Sequence, residues 1–216
     1  MDVAPGEVVG VMGHNGCGKS TLLRVMSTVL RPTAGDGWIY GCHLLRDPIG
    51  VRANVGFLAH SPGLYDDLSA RENLRFATAM LGIDEGLIAP TLERVGLWRE
   101  RDERVRGYSA GMLRRLALGR LLLGRPRLLL LDEPYNNFDR EGIALVNDVI
   151  TETRERGGSA LVVLHDRRQG DGVLDRLVEM ARGVIASEGR RETRGGMVTA
   201  PVVIPSHQTP AIQGSR

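Results

Sequence analysis

Aromatic side chains are scarce in this sequence, at 4% against 42% for hydrophobic residues as a whole. A core must therefore be mainly aliphatic, which suits stacked layers of helix and sheet better than an aromatic-rich sandwich. Cysteine is scarcer still, with only Cys17 and Cys42. Nothing else about the chain looks like a small stapled secreted domain, so both read as free thiols in a reducing compartment. Neither sign of charge dominates: 28 basic residues face 26 acidic ones, for a net charge of +2. That balance gives no reason to expect nucleic acid as the main partner. No stretch reaches the roughly 18 apolar residues of a membrane helix. The nearest, Leu118 to Leu131, is interrupted by three arginines and a proline. Asp2 and Glu7 occupy the place where a secretory signal requires positive charge. Such a chain reaches a membrane by docking onto another chain. There is no internal repeat.

What is present alternates in type. Glu7 to Met12 is an apolar run of the sort buried on both faces of a sheet, and glycines follow it at once. Ser20 to Leu30 then reads as a helix stopped by Pro32, Gly35 to Gly41 as a turn and short strand, and Val55 to Leu58 as another strand. Ser69 with Glu72 makes a capping-box pattern, opening a helical lobe to about Arg106 that is broken at Gly82 and near Pro90. Arg127 to Leu131 is a second buried strand. Asp139 caps a helix reaching about Arg156, where Gly157 and Gly158 end it. Ser159 to Leu164 is a third buried strand. From Gly189 the composition turns to Arg, Gly, Pro, Ser and Thr, and a mostly unstructured tail is expected over 189–216.

The strongest chemical signal is "GHNGCGKST", comprising Gly13, His14, Asn15, Gly16, Cys17, Gly18, Lys19, Ser20 and Thr21. It follows a strand and precedes a helix, the context that a phosphate-binding loop requires. Its glycines let successive N–H groups turn inward around phosphate oxygens, while Lys19 and the helix dipole add positive charge. Ser20 offers a hydroxyl to Mg²⁺. Cys17 is either a thiol made reactive by the helix N-terminus or, more commonly, a small residue at a variable position. In "LLLLDEP", Asp132 and Glu133 stand at the carboxyl end of a buried strand, where open α/β sheets bind ligands. Alone this pair often starts a helix. Beside a phosphate loop, Asp132 suits Mg²⁺ and Glu133 an attacking water.

His165 ends the third buried strand, either as an ordinary core or surface residue or as a hydrogen-bond donor to a γ phosphate. Ser109 and Gly111, in "YSAGMLRR", begin another helix; they form a plain N-cap or a second anion site. Two phosphate-seeking helix ends suggest a nucleotide sandwiched between two subunits.

Together these pieces resemble the nucleotide-binding subunits of ABC transporters. "GHNGCGKST" is similar to the Walker A loop, "LLLLDEP" to Walker B with its catalytic glutamate, "YSAGM" to the LSGGQ signature, "NNFD" to the D-loop and "LHD" to the switch-histidine loop. The resemblance covers about Glu7 to Glu188. It implies an α/β fold: a P-loop NTPase (RecA-like) core with a mainly parallel sheet, plus an ABC-type helical subdomain inserted at about 62–108 of a domain spanning 1–188. It also implies ATP and Mg²⁺ as ligands, ATP hydrolysis, and a head-to-tail homodimer with ATP between Gly13–Thr21 of one copy and Ser109–Gly111 of the other. Asp139 would couple the two sites. An integral-membrane permease would be contacted by about Phe57 to Asp67, holding the protein on the cytoplasmic face of the cell membrane.

Within the family, "LAHSPGLYDDLSARENLRF" and "YSAGMLRRLALGRLLLGRPRLLLLDEP" look closest to the haem-exporter ATPase of cytochrome c maturation. Exporters of drugs or polysaccharides share much of this. A soluble ABC ATPase acting on nucleic acid or ribosomes, or a nucleotide-binding module without turnover, are the competing readings. His60 stands at the Q-loop glutamine position and joins the catalytic candidates by that resemblance. Ala110 and Met112 replace Gly and Gln of the signature, Tyr135 a small residue, and Asn136–Asn137 lead unusually into the D-loop. No aromatic precedes Gly13 to stack on adenine, a contact worth about 1–3 kcal/mol elsewhere, and an upstream start is expected.

Overall fold

The computed structural model describes residues 1–192 and 196–201. Strand β1 (Val8–Met12) is buried through its first four residues, because helices on both faces of a central strand leave no side for water. A glycine-rich turn feeds α1 (Lys19–Met26). That helix stops short of the expected Leu30. Thr28 takes φ 60°, and Leu30 N donates back to Arg24 O at 3.0 Å, so the turn closes the helix before Val29 and Leu30. β2 (Trp38–Ile39) and β3 (Cys42–His43) form a separate two-stranded sheet. Helix α2 (Pro48–Asn54), not anticipated from the sequence, is capped by Asp47 and begins on proline, whose missing N–H is no loss there.

After β4 (Val55–Leu58) come α3 (Ala70–Leu81), α4 (Ile88–Arg94) and α5 (Ala110–Leu123). The capping box of α3 forms as expected: Ser69 N donates to Glu72 Oε2 at 2.7 Å and Glu72 N to Ser69 Oγ at 3.2 Å. Gly82 ends that helix in a left-handed conformation. Pro90, expected near a break, instead sits in the first turn of α4, where a proline removes no helical hydrogen bond. These helices share a core of their own around Leu74, Leu92, Leu97 and Leu116.

The chain then returns through β5 (Leu128–Asp132), α6 (Arg140–Glu155), β6 (Ser159–Val163), β7 (Arg176–Ala181), β8 (Val184–Glu192) and β9 (Gly196–Pro201). The main sheet runs in the order β4-β5-β6-β1-β7-β8-β9. Every pair from β4 to β7 is parallel, and the last two are antiparallel. Side chains of β5 alternate: Leu129 and Leu131 join Ala117, Val146 and Ile150 beneath α5 and α6, whereas Leu128 and Leu130 join Leu23 and Val51 on the opposite face. The sheet is thus covered on both sides. Where an unstructured tail was expected from Gly189, β8 instead continues to Glu192 and pairs with β9, Glu192 opposite Gly196. Backbone pairing of adjacent segments needs little apolar composition. Residues 202–216 of that tail lie outside the described residues. No helix among the described residues is long and apolar enough to cross a membrane.

Hydrogen bonds from the Ser69 backbone N–H, then from its hydroxyl, hold the Glu72 carboxyl below its ordinary range. A lowered folded pKa gives stability that is complete above the unfolded value and lost as pH falls through the folded one. Glu72→Gln is therefore expected to reduce the drop in urea midpoint measured between about pH 6 and about pH 3; an unchanged drop contradicts this account.

Candidate functional site

Parallel register decides what meets at the top of the sheet. Val11 lies opposite Val163, and Val163 opposite Asp132. The residues that follow these three, Gly13 onward, His165 and Glu133, therefore emerge side by side at the carboxyl ends of adjacent strands.

At the first of these ends, a Cβ on Gly13 would fall 2.2 Å from Met180 O and 2.7 Å from Cys17 Sγ, so no side chain fits. Gly18, at φ 107°, turns the chain into α1. His14, Asn15 and Gly16 form the exposed crest of the loop, while Cys17, 1% exposed, packs beneath it. Gly183 N donates to Cys17 O at 2.9 Å, tying the loop to the β7–β8 turn. Lys19 is buried, and its Nζ donates to Gly13 O at 2.8 Å and His14 O at 3.2 Å, which folds the ammonium back across the loop. Ser20 is half-buried in the first helical turn and Thr21 exposed beside it. The first turn of α1 holds no acidic residue to oppose an anion.

At the end of β5, Asp132 is 1% exposed, yet its Oδ1 has no hydrogen-bond partner among the described residues. A buried carboxylate oxygen left bare is costly, and it suits a cation or its water shell. Glu133 adopts φ 52°, a left-handed conformation uncommon for a residue with a side chain and a frequent mark of functional sites. Its carboxylate gathers three partners. His165 Nε2 lies 2.6 Å from Oε1, Asn136 Nδ2 donates to Oε2 at 2.8 Å, and His60 Nδ1 lies 3.5 Å from Oε2. Glu133, His165 and His60, each a separate catalytic candidate from the sequence, thus lie together.

Ser109, Gly111 and Asp139 form a second group. Ser109 caps α5, its Oγ accepting from Met112 N at 3.2 Å. A Cβ on Gly111 would lie 3.1 Å from Asn137 O. Asp139 caps α6 through Gly142 N at 2.8 Å and accepts from Arg115 Nη2 at 2.9 Å. The Gly142 N–H first, then Arg115, hold its carboxyl below the usual range. The hydrogen bonds of this group go to α5 and α6, not to the loop at 13–21.

Two residues that were not site candidates from the sequence belong to the site. Asn136 fixes one oxygen of Glu133. Arg114, 3% exposed, reaches four backbone carbonyls around Glu133 and His60; the available signal was its place on the apolar stripe of the helix. Tyr135 fits because the core receives it: it is 5% exposed, donates to Asn147 Oδ1 at 2.8 Å, and burial pushes its hydroxyl up to about 12. A recess of about 1150 Å³ lies away from the carboxylates, bounded by α1, Trp38, Tyr40 and Val184.

Gly13→Ala is expected to lower stability by well over 1 kcal/mol in urea unfolding, since both the left-handed φ and the Met180 carbonyl oppose a methyl group. Stability equal to that of the parent chain would refute the loop geometry.

Comparison with known proteins agrees with this arrangement. Residues 1–136 match the family described as ABC transporter. The cytochrome c biogenesis ATP-binding export protein CcmA 2 of Cupriavidus metallidurans is 40% identical over 81% of this chain and 84% of its own length. The corresponding CcmA of Xanthomonas campestris is 42% identical over 82% and 83%. Among solved structures, an ATP-binding subunit of an ABC transporter superposes with TM-score 0.81 at 26% identity, covering 88% of this chain and 81% of that one. The ATP-binding cassette MJ0796, in a dimeric post-hydrolysis state bound to ADP and phosphate, shares the fold with TM-score 0.78 at 23% identity, over 91% and 89%. With a phosphate loop and a carboxylate pair at adjoining strand ends, and with relatives of this similarity, the chain belongs to the ABC transporter family as an ATP-binding, ATP-hydrolysing member.

Proposed function

We propose that this chain is the ATPase subunit of an ABC exporter, and that it serves haem export for cytochrome c biogenesis. The observation that carries the hydrolytic reading is Glu133, held at the edge of the phosphate loop's sheet with His165 at 2.6 Å. In this reading Gly13 to Thr21 wrap the triphosphate, and the Lys19 ammonium leaves the Gly13 and His14 carbonyls for the β and γ phosphates. Ser20 and Asp132 hold Mg²⁺, which fits the unpartnered Asp132 Oδ1; the ion supplies charge neutralisation on the phosphates. Glu133 accepts a hydrogen bond from the attacking water, and His165 donates to the γ phosphate. His60 lies over the other oxygen of Glu133.

Domain limits follow the same reading: 1–188 as the ATP-binding unit with a helical insertion at about 62–108. Two copies pair head to tail, Ser109 and Gly111 of each facing the ATP of the other, with Asp139 at the junction. A groove of about 360 Å³ between β4 and α3, lined by Phe57, Tyr65, Phe76 and Met80, seats a helix of the permease. Tyr65, Phe76, Met80 and Leu81 are 51%, 45%, 73% and 51% exposed, an apolar surface suited to a membrane partner's loop. The protein then sits on the cytoplasmic face of the membrane. Support for haem as cargo comes from the similarity to CcmA proteins and from nothing in the site itself. A drug or polysaccharide exporter is the runner-up.

Glu133→Gln is expected to lower Mg²⁺-dependent ATP turnover by about 10²–10⁴-fold while nucleotide affinity stays near that of the parent. A variant that hydrolyses normally sinks the assignment. For cargo, the chain reconstituted with its permease in vesicles is expected to hydrolyse ATP faster when haem is added; a rate indifferent to haem but raised by a drug or polysaccharide substrate removes haem export.

A further inference from the structure

Arg114 carries a full positive charge into a site that is 3% exposed. A guanidinium so far from water must find acceptors, or its burial would cost several kcal/mol. It finds four, all backbone carbonyls. Nη1 donates to Ala59 O at 2.7 Å and His60 O at 3.2 Å, and Nη2 donates to Asp132 O at 2.6 Å and Glu133 O at 2.8 Å. Its Nε has no partner among the described residues. The planar fork therefore spans two separate segments: the loop after β4 and the end of β5. Because the acceptors are main-chain, the grip fixes where the peptide planes stand, whatever side chains they carry. One of those planes belongs to Glu133, whose φ of 52° is held only by what surrounds it. A second belongs to His60, whose ring lies 3.5 Å from the Glu133 carboxylate.

The helix that supplies the fork strengthens the case. α5 is capped by Ser109, and six residues beyond Arg114, about 1.7 turns, it presents Arg120, which donates to Pro62 O at 2.8 Å and to Gly63 O. One rigid helix thus holds the loop from Ala59 to Gly63, and through Arg114 it also holds the backbone of the strand end bearing the two carboxylates.

We propose that Arg114 is a positioning residue for ATP hydrolysis: by clamping the carbonyls of Glu133 and His60 to α5, it aims the Glu133 carboxylate at the attacking water. The inference rests on Glu133 being the hydrolytic carboxylate. It assigns Arg114 no contact with nucleotide. Its effect belongs in turnover, since displacing a reacting group by about 1 Å costs on the order of 100-fold in rate.

The test compares the parent chain, Arg114→Gln, Arg114→Lys, Glu133→Gln and the double variant Arg114→Gln/Glu133→Gln, measuring kcat, KM, ATP affinity by direct titration and Tm. Arg114→Gln is expected to lower kcat about 10- to 100-fold with ATP affinity changed less than about 3-fold. Lysine keeps the charge but cannot span both segments, so Arg114→Lys is expected to fall between, and it serves as the test if the glutamine variant does not fold. Adding Arg114→Gln to Glu133→Gln is expected to lower turnover no further, because two residues acting as one unit are not additive. Losses that multiply, or a kcat that falls together with ATP affinity or only with the folded fraction, overturn the proposal and leave Arg114 a structural residue. Normal turnover in Glu133→Gln alone would instead strike the assignment beneath it.

Discussion

Parallel pairing of β1, β5 and β6 sets the rest of the molecule in place. Strands that run the same way end on the same side, and their register puts Val11, Val163 and Asp132 in one row. The start of the phosphate loop, His165 and Glu133 issue from the next residue or two. The connecting helices are covers as much as connections: α1 shields one face and α5 and α6 the other, so the strands themselves are largely aliphatic. An aromatic-poor composition is what such a sheet requires, with short branched side chains packing in alternate layers.

Burial of charge is the second organising feature. Lys19, Asp132 and Arg114 are all nearly inaccessible. Each would be expensive without partners, and each solves that differently. Lys19 borrows carbonyls of its own loop, Arg114 takes those of two other segments, and Asp132 leaves one oxygen unmet. A site that is incompletely satisfied in isolation is prepared for a charged ligand. At the opposite end of the sheet, Arg176 is matched with Glu7 and Glu188.

Departures from the family pattern are absorbed locally. Ala110 opens α5 without disturbing the cap, since Ser109 Oγ still receives Met112 N. Tyr135 displaces nothing because α6 offers Asn147 to its hydroxyl. His60 is the exception in kind. A histidine beside the Glu133 carboxylate brings an ionisable ring where an amide would be neutral.

The ends of the buried strands, the phosphate loop, the capping box of α3 and the carboxylate pair were legible from residue order alone, because each is a local pattern: an apolar run, a glycine spacing, a Ser with Glu three places on. Helix α2, β7 and β8 were not, since their side-chain pattern is weak and their backbone is recruited by neighbours far off in the chain. The meeting of His60, Asn136 and His165 on Glu133 could not be read either, nor could the reach of Arg114 to carbonyls more than fifty residues away. Local chemistry is written in the sequence because nearest neighbours decide it; the aim of a carboxylate depends on which distant peptide planes pack around it, and only the closed tertiary structure brings those planes together.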